Sequence, residues 1–407
     1  MGQIFSYVIG ILIAALIVFG LHFGMQVGSP AYARQVIVNK AAEKSLDELE
    51  EIMSIGTRSQ RVAAITAIGQ GDDQLERRVA IIATTTADLD RSIGSICRLS
   101  IQRMGDRAKP AIRKLLASSD PEVVRSACGV VPPLGTDGDE FGDRFMKLLR
   151  EGDRLDRHAV LFGMQEMSPE VLVKGVDAVI GELDDPDFNT QCQACFVLRQ
   201  MGRGAEPATK RLVQLLQEGN VSTRSRACQA LAAIGPVDGY DIPGLIVGRL
   251  KAYSFLEKAR TLSAVAQLGP AADTAEHRKA IQYLIDNPRL NCVSEASLAY
   301  YGVTGEKDAA LRTLKNQLRK RNGRMAALEC LGAMGDDASE AVPDILEFLH
   351  DEDLAICETA VLTLKNIGPT AEAALPRLEK MLTHDDFLVA VAAQEAIDSI
   401  SGKNTEP

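Results

Sequence analysis

The stretch Ser225-Arg226-Ala227-Cys228-Gln229-Ala230-Leu231-Ala232-Ala233-Ile234-Gly235 decides how this chain folds, because relatives of it return along the whole sequence. Its last five residues recur as Leu198 to Gly202, Val265 to Gly269, Leu298 to Gly302, Leu331 to Gly335 and Leu364 to Gly368. A fixed period of about 20 to 50 residues marks a stack of structural repeats, each too small to bury its own apolar face. With the final glycine as a reference slot, the series runs Gly69, Gly105, Gly135, Gly202, Gly235, Gly269, Gly302, Gly335 and Gly368. Ser168 and Ser401 fill the slot in two further copies, and the spacings lie between 30 and 36 residues.

Three columns precede the slot. The residue before it is apolar in every copy, from Ile68 and Met104 to Ile367 and Ile400. The residue four before it is apolar again, as in Ile65, Leu198, Leu231 and Leu364. The residue eight before it is mostly small, as in Ala127, Ala194, Ala227, Ala327 and Ala360. These offsets share one face of a 3.6-residue helix, so a helix ends at each slot and its small column lets a neighbour come close. The glycine fits a left-handed cap at the end of that helix. An earlier helix in each copy is marked by Pro110, Pro207, Pro243, Pro343 and Pro376 near its start, where a missing amide costs nothing. Asp120, Asp153, Asp187, Asn220, Asn287, Asn322, Asp353 and Asp386 then stand where the second helix needs an N-cap. Ser45-x-x-Glu48 is a capping box that opens the first copy. The expected fold is all-α: a superhelical solenoid of eleven helix pairs over residues 44–402, about 100 Å long at roughly 10 Å per layer.

At these residues the chain resembles the HEAT repeats, in the short bacterial form of the phycobilisome lyase-like proteins. Asp120-Pro121-Glu122-Val123-Val124-Arg125-Ser126-Ala127 through Gly135, Ala341-Val342-Pro343 through Gly368, and Ala374-Leu375-Pro376 onward carry the resemblance. It implies a scaffold that holds a protein partner on the concave face built by the second helices. The alternative it implies is a bilin lyase, an isomerase-like enzyme or a chromophore-binding protein. The family's iron-binding hydroxylases carry His-Glu dipeptides, and this sequence has none.

Residues 4–27 form an apolar run with no formally charged side chain, long enough to cross the roughly 30 Å hydrocarbon layer. Residues 1–27 are read as a membrane anchor, 28–43 as a linker and 403–407 as a disordered tail. Arg34, Lys40 and Lys44 follow the run and no basic residue precedes it, which places the solenoid on the cytoplasmic side of an inner membrane. The alternative is an exported protein, for which Ala31-Tyr32-Ala33 supplies a cleavage-site pattern. Gly20, Gly24 and Gly28 lie on one helix face, where close helix–helix packing would allow self-association.

The net charge of −10 disfavours nucleic acid as a partner. The eight cysteines fall in second helices, and Cys128, Cys195 and Cys228 share one column, so they read as small core residues. Cys192-x-x-Cys195 lacks the further ligands a zinc site needs. The histidines are scattered, and Asp351-Glu352-Asp353 falls where a cap is wanted, so no cofactor, metal or catalytic residue is expected. What remains is cationic. Arg157, Arg224, Lys258 and Arg324 sit eleven before the slot, and Arg125, Arg226 and Arg260 lie within two residues of that column. Stacking would align them as a strip for an acidic or extended partner segment, or as a ladder of ion pairs with acids near the turns. Arg312, Lys315, Arg319, Lys320 and Arg321 form a denser patch, either a solvated helix face or a contact for anionic headgroups or an acidic protein.

Overall fold

The computed structural model describes residues 40–85, 91–151, 154–251, 254–384 and 386–402. The anchor reading of residues 4–27, the Gly20, Gly24 and Gly28 row, Asp153 and the tail 403–407 lie outside them. Among the described residues no helix is long and apolar enough to cross a membrane.

Within this range the chain is helical throughout; the β-type contact is an isolated bridge between Val237 and Tyr240. The principal helices alternate in pairs. The first members are α1 (Leu46–Ile55), α3 (Leu75–Thr85), α5 (Lys109–Leu116), α7 (Gly142–Glu151), α9 (Val176–Gly181), α11 (Thr209–Glu218), α13 (Ile242–Gly248), α15 (Ala275–Asp286), α17 (Lys307–Leu318), α19 (Val342–Ile345) and α21 (Leu375–Met381). The second members are α2 (Arg58–Gln70), α4 (Arg91–Met104), α6 (Pro121–Cys128), α8 (Arg154–Gly163), α10 (Phe188–Met201), α12 (Val221–Ile234), α14 (Phe255–Leu268), α16 (Val293–Thr304), α18 (Arg324–Met334), α20 (Leu354–Ile367) and α22 (Phe387–Ile400). Each second helix packs on its own first helix and on the second helix of the next copy, which makes the chain an α-solenoid. The join between α4 and the third copy differs: α6 is short, and α4 meets the 3-10 segment Pro132–Phe141 that completes that copy.

The three columns pack as their spacing requires. Ile65, Leu198, Leu231 and Leu364 are fully buried, as are Ala127, Ala194, Ala227 and Ala360 beside them. A fourth column, five before the slot, is also buried, and two of its hydroxyls join successive copies. Ser100 Oγ donates to the Ile65 carbonyl at 3.4 Å, and Thr363 Oγ1 to the Leu328 carbonyl at 3.0 Å. A buried leucine such as Leu231 contributes about 2–5 kcal/mol relative to alanine, whereas an exposed ion pair contributes about 0–1. The columns therefore hold the stack together.

The slot glycines reverse the chain, but not in the expected left-handed helical conformation. Gly135, Gly202, Gly235, Gly269, Gly335 and Gly368 have φ between 54° and 81° with ψ between −130° and −162°. That region is essentially closed to residues with a Cβ. Gly305 does adopt the left-handed helical cap, three residues past its slot, because α16 runs on through Gly302. Gly302 instead allows contact: a Cβ there would lie 2.7 Å from the Ala266 carbonyl oxygen of α14.

The N-caps follow the same mixture of agreement and correction. Asp120, Asp187, Asn220 and Asp353 accept amides of the first turn, and Ser45 with Glu48 closes its capping box. Asn287 and Asn322 do not cap second helices. Short 3-10 turns at Pro288–Leu290 and Arg321–Gly323 intervene, so Cys292 and Gly323 take the cap positions.

The buried core is interrupted once among the described residues. One cluster runs from Ala41 to Val303 and a second from Ala310 to Ile400. At this seam Ser294 and Ser297 are buried. Glu295 Oε2 is shielded there without a hydrogen-bond partner. Burial first, and then the nearby Glu329, push the Glu295 carboxyl above its usual range.

Gly335→Ala is expected to cost about 1–3 kcal/mol through backbone strain, and Gly302→Ala a similar amount through its clash with α14. Gly181, with open space around it and negative φ, should accept alanine with no loss; urea denaturation midpoints compare the three. A carboxyl whose folded pKa is raised contributes stability below its unfolded value near 4.5, and loses it as pH rises through the folded value. Glu295→Gln should therefore raise the midpoint at neutral pH and flatten its decline above pH 4.5 in a pH series of denaturation curves.

Candidate functional site

The cationic row separates into two kinds of residue. Arg224 reaches across one copy to Glu257 through two near-parallel hydrogen bonds, Nε to Oε1 at 3.0 Å and Nη2 to Oε2 at 3.1 Å. Arg249 donates to the same carboxylate, Nε to Oε1 at 3.1 Å. Glu257 is only 3% exposed. Burial alone would push its carboxyl up, but the hydrogen bonds from Arg224 and Arg249 outweigh it and hold the pKa below the usual range. Arg324 stands 3.4 Å from Asp351 and lies over the Phe348 ring, with its Cζ 5.3 Å from the centroid. Arg157 reaches the buried Glu182 at 3.6 Å, and burial still pushes that carboxyl up against the pull of Arg157. Arg125 pairs within its own helix with Glu122 at 2.7 Å. These four are structural.

Arg226, Lys258 and Arg260 form no ion pair among the described residues. Arg226 and Arg260 occupy the same position in α12 and α14, nine before the slot, on the open side of the second helices. The Arg226 guanidinium lies 5.5 Å from the centroid of Phe196 on α10, and Arg199 approaches the same ring at 5.9 Å. Phe196 and Arg199 were not singled out from the sequence. Their signal is the open-face spacing of Phe196, six before the slot, shared with Phe162 one copy earlier.

Exposed apolar side chains are concentrated on the same helices. Phe188, Val221, Phe255 and Leu354 each open a second helix, fourteen before the slot, and are 37 to 49% exposed. Phe162, Leu256 and Leu362 are exposed farther along α8, α14 and α20. The first three of the opening residues lie in successive copies, so they form a row along the edge beside the Arg224–Glu257–Arg249 pairs.

The second patch divides too. Lys315 pairs with Asp344 at 3.2 Å. Arg312, Arg319, Lys320 and Arg321 are exposed and form no ion pair among the described residues. Lys320 and Arg321 border a cavity of about 320 Å³ with Asn291, Ser294 and Asn322. Arg321 also borders a cavity of about 540 Å³ with Arg324, Glu347, His350 and Asp351. Both are lined mainly by polar and charged chains, unlike the apolar slot that a tetrapyrrole would fill.

Seven of the eight cysteines are buried; Cys192 is half-buried. Burial pushes the Cys228 thiol up to about 12, and pushes Cys195 up as well, so neither is a thiolate nucleophile. Cys192, beside Arg226 and Arg260, is also raised, because burial outweighs its neighbours. Among the described residues no group of three or more His, Cys, Asp or Glu could hold a metal ion.

A stack of paired helices in sequence order defines an α-solenoid of repeats. Residues 311–398, from α17 into α22, match the family model for HEAT repeats. Among solved structures, an engineered protein determined by the Northeast Structural Genomics Consortium is similar over 88% of this chain and 98% of its own, at 19% identity and a TM-score of 0.40. No curated protein matches the sequence.

Glu257→Gln should cost about 1–3 kcal/mol, less than a fully buried pair, because Arg224 and Arg249 keep some contact with water. A carboxyl with a lowered folded pKa contributes stability above its unfolded value near 4.5 and loses it as pH falls through the folded value. The parent chain should accordingly lose stability more steeply than Glu257→Gln below pH 4.5 in acid titrations followed by circular dichroism.

Proposed function

We propose that this chain is a membrane-tethered scaffold that binds a protein partner along its second helices and carries out no chemistry of its own. HEAT repeats generally mediate protein–protein contact, and the match over residues 311–398 supports that general role. The observation that carries the reading is the placement of exposed apolar chains. Phe188, Val221, Phe255, Leu256 and Leu354 sit on second helices whose opposite sides are closely packed. Repeated apolar exposure on one side of a well-buried array is the mark of a docking surface rather than of random surface wear. The finer reading adds an extended or helical segment of the partner, lying across the concave side of several copies. It also adds an anchor at residues 4–27, with the solenoid on the cytoplasmic side. The uncharged apolar run and the basic residues that follow it support that tether.

Affinity capture of the tagged full chain from its native membranes is expected to recover a stoichiometric partner. Phe188→Ser combined with Phe255→Ser should reduce its recovery by about ten-fold or more. Tyr283→Ser, at an exposed aromatic on the first helix α15, should leave recovery unchanged. No partner, or equal loss in both variants, overturns the reading.

A further inference from the structure

We propose that Arg226 and Arg260, with Phe196 and Arg199, form a recognition site for a carboxylate side chain on an acidic, apolar-flanked segment of the partner. This site rests on the scaffold reading and gives it a chemistry. The four side chains come from three successive second helices, and all are half-buried. Arg226 gives one long hydrogen bond to Gln229, at 3.5 Å, and Arg260 gives none among the described residues. Two residues before Arg226 on the same helix, Arg224 meets its acid through two hydrogen bonds. In the column eleven before the slot the chain thus supplies an acid to Arg157, Arg224 and Arg324, though not to Lys258, and among the described residues it supplies none to Arg226 and Arg260 in the column nine before the slot.

Placing two guanidiniums side by side without an acid is unfavourable in the free protein. Burial first, and then the charge of Arg226, lower the pKa of Arg260. Local rules broken in this way are characteristic of binding sites, where the ligand supplies the missing group. A carboxylate set between two planar forks can accept hydrogen bonds from both, and each bond is strengthened by the low dielectric of a half-buried site. Phe196 lies directly under Arg226 and Arg199. Its ring attracts those two cations and offers an apolar floor to the residue beside the acid. Phe162 and Leu256 extend that floor on the neighbouring helices α8 and α14. Nucleic acid and anionic bilayers call for a broad basic field, whereas this site has three cations on a chain of net charge −10. One acidic side chain with an apolar neighbour matches the scale of the site.

The test uses the full chain and a short fluorescein-labelled peptide of alternating Glu and Phe, followed by fluorescence anisotropy. Peptides of alternating Gln and Phe and of alternating Lys and Phe serve as controls. The Glu peptide should bind more tightly than either control, and its binding should weaken with salt. R226Q combined with R260Q should weaken it by about ten-fold or more. R203Q, at an exposed arginine that pairs with Glu206, should leave it unchanged. The double variant should melt no lower than the parent, because it removes like charges that no acid among the described residues offsets. Equal binding of the Glu and Gln peptides, indifference to R226Q/R260Q, or a lowered melting point in the double variant would overturn the proposal. If Phe188→Ser with Phe255→Ser abolishes partner capture while the peptide ignores the arginines, only the acidic recognition fails. If partner capture also ignores those phenylalanines, the scaffold reading fails with it.

Discussion

At six of the second helices the chain turns back, so that the next pair can stack, through a backbone region that a Cβ atom blocks. Gly135, Gly202, Gly235, Gly269, Gly335 and Gly368 all make it with nearly the same dihedral angles. A common turn gives a common relation between neighbouring pairs. Leu198 and Leu231, Ala194 and Ala227 can then meet equivalent partners copy after copy. Regular packing follows from the regular turn, and the open face follows from the packing.

The second helices therefore have a closed side and an open side, and the electrostatics differ between them. Where an arginine points toward the next copy's turn, an acid answers it: Glu257 for Arg224, Asp351 for Arg324, Glu182 for Arg157. On the open side Arg226 and Arg260 have no acid partner among the described residues, and they share that surface with Phe162, Phe196 and Leu256. Burying an acid offsets much of what its ion pair gains, so the ladder chiefly fixes register between copies, while the columns beneath supply the cohesion. At the break in the core between Val303 and Ala310 a shielded carboxyl, Glu295, stands where neighbouring copies place Leu262 and Leu328.

Most of the architecture was legible in the sequence because the features that set it are local or strictly periodic. Slot glycines, apolar columns and caps such as Asp120 and Asn220 need only their neighbours within a turn or two of helix. The cap at Asn287 was misread because Pro288 starts an intervening 3-10 turn, a detail that spacing alone does not reveal. The glycine conformation was misassigned for a similar reason: a Gly at a helix end is equally compatible with two positive-φ regions, and the following 3-10 segment chooses between them. The site was harder to read, because its contacts join residues one copy apart. Arg224 and Glu257 are 33 residues apart, and Arg324 and Asp351 are 27 apart. Sliding the sequence over itself by one period of 33 residues would bring Glu257 level with Arg224, but Asp351 and Arg226 lie off that register from Arg324 and Phe196. Without that comparison, structural and unpaired arginines look alike.

The thiols bear on where such a chain can live. Clustered cysteines in a sequence invite the inference of a reducing compartment, yet seven of these eight sulfurs are sealed among packed side chains. Once folded, the solenoid gives an oxidant almost no sulfur to reach, and neighbouring thiols cannot be drawn together without opening a helix pair. The folded stack is thereby largely insulated from oxidants in its surroundings, with Cys192 as its one partly reachable thiol.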